Sequence, residues 1–495
     1  MSPLIASLTR AAARCPGKTA LVIEEQRLSY AELDRRAQDL ARRLLISGAA
    51  PGDRVALHMH NGAALAVSYF GCFYAGMIAV PINTRMNAPE IEYVLQHSDA
   101  SLYIGQRSLF QESHRVSSCL EGKRQLVVDG NELEWASDSD PTIGLPPVAA
   151  DLPAIILYTS GSTAHPKGVV HTHSSLLNAA RGFDINSNDV VTIITPMVHS
   201  AAFMMLIATV DAAATAVTLA AFEPHAVLDA IERHRGTYAL GMPVMYPALI
   251  AAQGAHARDL SSVTRFLAGG DAVSPTLQSA FVQCIGHPLF EIFGTTENGM
   301  VAANWSRAAC HQGSFGYPRA GVEVAIIDAR GEPVPEGTEG EMIIRSNATM
   351  IGYWNDPQAT AKALRKGWFH TGDIARRDSE GYLWFLGRKK EIIVRGGSNV
   401  SPQEVEAVLH QHGAVREAGV VGAPDPTWGE RVIAFVSRRP GAKVTPKQLI
   451  AFAADRLAAY KTPEETVFLD DLPKSAAGKI QRRALRERYL TALSA

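Results

Sequence analysis

Four apolar runs in the middle of this chain each stop abruptly at a polar loop, and that repeated break constrains the fold more than any other feature. Residues 154–157 run into Tyr158-Thr-Ser-Gly-Ser-Thr-Ala-His-Pro-Lys-Gly168, and 190–195 into Pro196-Met-Val-His199. Residues 265–268 run into Gly269-Gly-Asp271, and 289–293 into Gly294-Thr-Thr-Glu-Asn298. Apolar runs this short read as buried strands, and the helical patterns between them, such as 224–232, supply crossovers. In an open parallel sheet the ligand crevice lies outside the carboxyl ends of the strands. The four loops are therefore expected to meet in one composite pocket.

The loop 158–168 is the most informative of them. Its small and hydroxylated residues leave backbone N–H groups available to an anion, and Lys167 adds a mobile point charge. Taken alone it fits a polar surface turn as well as a phosphate cradle. It is not a Walker A loop, because Lys167 precedes Gly168 and no Gly-Lys-Ser/Thr follows. Ribose, adenine and metal contacts must come from elsewhere in the chain.

At 495 residues the length suggests about three units. The fold expected is α/β: a large N-terminal domain of α/β sheets with a β-rich subdomain, and a small mobile α+β C-terminal domain. We place the N-terminal domain at 1–386, with subdomains at about 1–150, 151–320 and 321–386, and the C-terminal domain at 387–495. In the first part, Leu33, Ala37, Leu40 and Ala41 recur at helical spacing, and 54–58 reads as a strand. Short strands and Gly/Asp turns mark 321–386. The charged stretch 387–391, between strands expected at 382–386 and 392–394, reads as a hinge. Beyond it Ser401, Pro402 and Glu404 form a capping-box pattern ahead of Val405, Val408 and Leu409.

Composition removes several alternatives. A net charge of −2, from 47 basic and 49 acidic residues, offers no polyanion-binding surface, so nucleic acid is not an expected partner. The five cysteines are scattered without a C-x-x-C pair, which suits free thiols in the cytoplasm. No signal peptide or transmembrane segment is expected: 64–82 reads as a buried helix leading into a strand, and His199 and Asp211 interrupt 197–222. His171 and His173 lack a Cys or carboxylate at ligand spacing, so they do not suggest zinc.

Together these motifs resemble the adenylate-forming superfamily of acyl-CoA synthetases, nonribosomal adenylation domains and firefly-type luciferases. The resemblance runs from about residue 20 to 485. Loop 158–168 is similar to the family's phosphate loop, and Phe293-Gly-Thr-Thr-Glu297 to its Tyr-Gly-x-Thr-Glu motif. Residues 368–373 match its Thr-Gly-Asp motif, Gly387-Arg388 and Gly396-Gly397 its hinge region, and 473–482 its C-terminal Gly-Lys-Ile motif.

The resemblance implies roles residue by residue. Thr159, Ser160, Gly161, Ser162, Thr163 and Lys167 would cradle the phosphates. Gly270 and Asp271 would line the adenine slot and Phe293 would stack on the purine, with Gly294, Thr295 and Thr296 nearby. Asp373 and Arg388 would hold the ribose, and Glu297 would bind Mg²⁺ beside the triphosphate. Lys479 would stabilise charge on the α-phosphate as pyrophosphate leaves, making it, with Thr159, Glu297 and His199, the catalytic set. His199 would orient the acid, in a pocket shared with Ala201, Ala202 and Phe203 and with Gly294, Asn298, Gly299 and Met300. Gly396 and Gly397 would let pantetheine pass, and rotation at Lys390 would separate two half-reactions.

The activity implied is ATP- and Mg²⁺-dependent conversion of an apolar fatty or aryl carboxylic acid to acyl-AMP, then to a CoA thioester. Amino acids are disfavoured because 197–203 contains no acidic residue to meet an α-amine. A carrier-protein phosphopantetheine is an alternative acceptor, although the compact stretch 386–402 lacks the insertion often found in such relatives. A degenerate adenylate-binding protein is a second alternative, motivated by Ala164 and Ala477 at positions usually held by Gly and by Thr or Ser. The oligomeric state stays open, a homodimer being one option.

Overall fold

The structure is a computed structural model that describes all residues except 1, 87, 113–119, 122, 129–139, 160–165, 272, 305–310, 396–397, 458, 476–477 and 494–495. Among the described residues the strands form four sheets. Two large sheets share the principal core. The larger is parallel through Leu21, Val217, Ile193, Leu240, Leu267 and Phe290, with antiparallel strands at both edges. Parallel strands need crossovers, and these are the helices Ser200–Asp211, Pro224–His234, Tyr246–Ala255 and Pro275–Ile285.

Local sequence explains most of these elements. Helix Tyr30–Ile46 starts at a reciprocal capping box between Ser29 and Glu32 and buries Leu33, Ala37, Leu40 and Ala41, as their spacing predicts. It packs on helix Ala63–Tyr74, which is buried on every side. A Cβ at Gly71 would lie 2.6 Å from Leu40 Cδ2, so the two helices approach where a side chain is missing. No described helix is long and apolar enough to cross a membrane.

One expectation about these loops needs correction. Only three of the four loop-bearing strands, Val190–Ile193, Arg265–Ala268 and Leu289–Thr295, lie in the larger sheet. The fourth, Pro153–Thr159, belongs to the neighbouring sheet, so the four loops do not follow the strand ends of one sheet. The loop after this strand closes an antiparallel hairpin. Lys167–Thr172 folds back along Pro153–Thr159, placing Thr159 opposite Lys167, and helix His173–Arg181 begins only after that strand. β-Branched Val169 and Val170 suit the ladder, and Thr172 with Ser175 caps the helix.

The third sheet is antiparallel and spans strands from Val322–Ile327 to Leu383–Arg388. Its last strand runs later than the 382–386 expected, because Gly387 and Arg388 continue the ladder opposite Ile374 and Asp373. The fourth sheet begins at Ile393–Arg395 and carries helix Pro402–His410. There Ser401 accepts from the Glu404 N–H, but the Glu404 carboxylate turns to Lys461 Nζ at 2.7 and 2.8 Å, so the capping box is half formed.

Candidate active site

Asp373 sits in strand Trp368–Arg377, where Thr371 Oγ1 accepts from its N–H and itself donates to the Met342 carbonyl. Its side chain is fully buried, yet neither carboxylate oxygen accepts a hydrogen bond from the described residues. Arg388 Nε lies 2.8 Å from Oδ1 as an ion-pair contact without aiming its N–H along that line. Burial lifts this carboxyl to about 6, with Glu297 and Glu391 adding to the rise and Arg388 and Lys479 opposing it. A buried carboxylate with two unused acceptors fits a ligand that brings two hydroxyl donors, as a ribose diol does.

The turn carrying Glu297 closes the hairpin between Leu289–Thr295 and Gly299–Ala303. Gly299 has φ +65°, and a Cβ there would lie 2.6 Å from Ala179, so the turn seats directly on helix His173–Arg181. Met350 N–H donates to the Glu297 carbonyl at 2.7 Å, and the Tyr353 hydroxyl donates to Glu297 Oε1 at 2.9 Å. Lys167 Nζ lies 4.7 Å from the centre of the same Tyr353 ring. A short strand at Gly352–Tyr353, paired with Val169 and Val170, brings the three together. One carboxylate with a single fixed oxygen suits Mg²⁺, which is commonly held by one or two carboxylates together with substrate phosphates. Among the described residues no set of three or more His, Cys, Asp or Glu could hold an ion alone.

His199 precedes helix Ser200–Asp211 and lies 3.5 Å, ring Nε2 to amide nitrogen, from Asn83. Burial lowers its pKa to about 4, assisted by the charges of Arg85 and Lys479, so the imidazole is neutral at pH 7. Ala201 is exposed beside it.

Lys479 is carried on a hairpin closed by the Lys474–Ile480 bridge, in which Ser475 N–H donates to the Lys479 carbonyl at 2.8 Å. Its side chain keeps accessible surface, while its ammonium lies among densely packed atoms at the meeting of the two domains. Desolvation lowers its pKa, with Arg388 acting in the same direction and Asp271, Asp373 and Glu391 opposing it. The C-terminal domain thus places the Lys479 charge where it acts on both Asp373 and His199.

The chain between the domains is tied on both sides of Lys390. Lys389 Nζ pairs with buried Glu341 at 2.8 Å and its N–H donates to the Gly372 carbonyl, while Glu391 pairs with Arg482 at 2.8 Å. Arg482 also pairs with buried Glu406 at 2.6 Å.

The other expected site residues are placed as follows. Ala202 and Phe203 face the core, with Phe203 4.4 Å from Tyr69 between ring centres. Asn298 is buried and bonds to Thr295 and Thr349, Gly299 rests on Ala179, and Met300 packs beside Gly182. These five residues pack inside the protein in the described arrangement. Phe293 is half-buried against Phe315 and Phe385, 4.8 and 6.3 Å away. Gly270 and Asp271 are exposed, and Asp271 acts electrostatically on Lys479, Arg482 and Glu406 of the C-terminal domain. Ser160, Gly161, Ser162, Thr163, Ala164, Gly396, Gly397 and Ala477 lie outside the described residues. Tyr353, Asn83 and Arg85 were not anticipated, and no local pattern marks them.

His171 and His173 are committed to the protein's own hydrogen bonds. His171 meets the Thr296 carbonyl and Ser175, and His173 Nδ1 meets Ser2 Oγ at 2.9 Å.

Comparison with known proteins agrees with this geometry. The family model described as AMP-binding enzyme matches residues 8–354, and the one described as AMP-binding enzyme C-terminal domain matches 404–479. A feruloyl-CoA synthase of Amycolatopsis sp is 37% identical over 487 residues, covering 97% of this chain and 98% of the relative. A fatty acid–[acyl-carrier-protein] ligase, ScoC of Streptomyces coeruleorubidus, is 34% identical over 495 residues, covering 96% and 94%. ATP-bound MatB from Rhodopseudomonas palustris superposes with a TM-score of 0.91 at 28% identity over 99% of both chains. Apo MatB gives 0.81 at the same identity and coverage. The chain belongs to the AMP-binding enzymes, in the acyl-CoA synthetase branch of the adenylate-forming superfamily.

Proposed function

We propose that this enzyme activates an apolar aryl or fatty carboxylic acid with ATP and passes the acyl group to CoA. The single observation that carries the reading is the buried, unsatisfied Asp373 carboxylate, beside Arg388 of its own sheet and facing Lys479 of the C-terminal domain. In the first half-reaction a carboxylate oxygen attacks the α-phosphorus, the bond to pyrophosphate breaks, and acyl-AMP forms. Asp373 accepts the two ribose hydroxyls. Lys167 and Thr159, opposite each other at the mouth of the hairpin, hold the outer phosphates. Glu297 would hold Mg²⁺, which when bound would offset phosphate charge. Lys479 stabilises charge developing around the α-phosphate. Neutral His199, at the positive end of a helix, orients the acid without competing for its proton.

In the second half-reaction the CoA thiolate attacks the acyl carbonyl carbon and AMP departs with the bridging oxygen. Rotation of the domain beyond Lys390 would bring 396–397 to the site, and the paired anchors at Lys389 and Glu391 support a pivot between them. The better agreement with ATP-bound than with apo MatB supports reading the described arrangement as the adenylate-forming one. The feruloyl-CoA synthase relative and the absence of an acidic residue in 197–203 support an apolar acid. Each buried methylene contributes only ~0.8 kcal/mol, so chain length is set by pocket shape and not by composition. Free thiols at Cys15, Cys72 and Cys284 suit the cytoplasm.

The similarity to ScoC favours a second acceptor, a carrier-protein phosphopantetheine. ATP–pyrophosphate exchange across aryl and fatty acids tests the first half-reaction, with acid-dependent exchange expected. No exchange with any acid would leave only nucleotide binding. Supplying CoA or holo carrier protein then separates the two acceptors.

A further inference from the structure

His171 lies on strand Lys167–Thr172, on the same face as Lys167, and is completely buried. Its Nε2 is 2.7 Å from the carbonyl oxygen of Thr296, the residue just before Glu297. A carbonyl can only accept, so Nε2 carries the proton. Nδ1 must then accept, and Ser175 Oγ is 3.1 Å away to donate to it. Ser175 in turn is fixed by the helix cap, taking the Thr172 N–H at 3.0 Å. The tautomer is thereby set by the fold, and the ring links two segments 125 residues apart. The same turn is gripped on its far side by Tyr353, whose ring lies under Lys167.

We infer that His171 is a positioning residue that registers the Glu297 turn on the phosphate-binding strand, so that Glu297 and Lys167 meet one MgATP together. The inference rests on the proposed role of Glu297. It separates His171 from an ordinary core histidine, whose replacement by any well-packed side chain would be equivalent.

The test measures ATP affinity of the full-length protein by calorimetry, with and without Mg²⁺ and without any acid. The variants are His171→Leu, which fills similar space without a donor, and His171→Gln, whose amide nitrogen can reach the Thr296 carbonyl. The unaltered protein is expected to bind ATP more tightly with Mg²⁺. His171→Leu should lose about tenfold of that Mg²⁺-dependent affinity while binding AMP within about threefold of the unaltered protein, and His171→Gln should recover most of the loss. Equal Mg²⁺ enhancement in His171→Leu and the unaltered protein would overturn the inference. So would an equal loss in both variants, which would reduce His171 to packing. If His171→Leu fails to fold, a His171→Gln variant without the Mg²⁺ enhancement overturns the inference, and one that retains it supports the inference. Failure of the unaltered protein to bind MgATP would overturn the functional reading itself and the inference with it.

Discussion

Asp373 shows how a single residue trades stability for binding. Its pKa rises from 3.8 to about 6 on folding, so folding is favoured most below pH 4 and this advantage is gone above pH 6. Keeping the carboxylate ionised and buried costs about 3 kcal/mol at neutral pH. Asp373→Asn is therefore expected to raise the unfolding midpoint of the ligand-free protein at pH 8, with the gain fading towards pH 4, while AMP affinity collapses. Denaturation curves and AMP calorimetry across that range check both halves. Lys479→Ala should slow pyrophosphate exchange by about a hundred- to a thousandfold while leaving AMP bound, because the role proposed for the lysine is to act on charge that develops during transfer. Charge and motif spacing single out Asp373 in the sequence, and the structure leaves its buried oxygens unused. The core position of Phe203 was not legible. Residues 202–210 of its helix are buried throughout, so no polar face tells a core position from a pocket position.

At the scale of elements, the site is held by close backbone approaches. Gly299→Ala forces a Cβ against Ala179 at positive φ, and it should cost about 1–3 kcal/mol while displacing the Glu297 turn, so exchange falls with stability. Gly71→Ala, which meets Leu40 far from these loops in the chain, should cost a similar amount with kcat unchanged in the folded fraction. Thermal unfolding and exchange measured side by side distinguish the two. Helix Tyr30–Ile46 was readable because its apolar spacing and Ser29–Glu32 cap agree. The hairpin 153–172 was not. A two-residue apolar run such as Val169-Val170 shows no period, and its pairing with Gly352–Tyr353 spans far too much chain for a local signal.

Across the whole molecule, the two domains meet with Lys479 turned towards Asp373 and His199, and the connecting chain is anchored immediately before and after Lys390. Lys390→Pro fixes φ at the proposed pivot, so acyl-AMP formation should persist while thioester formation falls by about tenfold or more. Single-turnover assays of each half-reaction check the split. The order of the motifs made the separate small C-terminal domain legible, whereas the electrostatic coupling of Asp271 to Arg482 and Glu406 depends on domain placement that no local sequence encodes. The most direct measurement is mass-spectrometric detection of acyl-CoA after incubation with ATP, Mg²⁺, CoA and a panel of aryl and fatty acids. The account predicts an acid-dependent CoA thioester with one AMP released per thioester; AMP formation discharged only by holo carrier protein, or none with any acid, would contradict it.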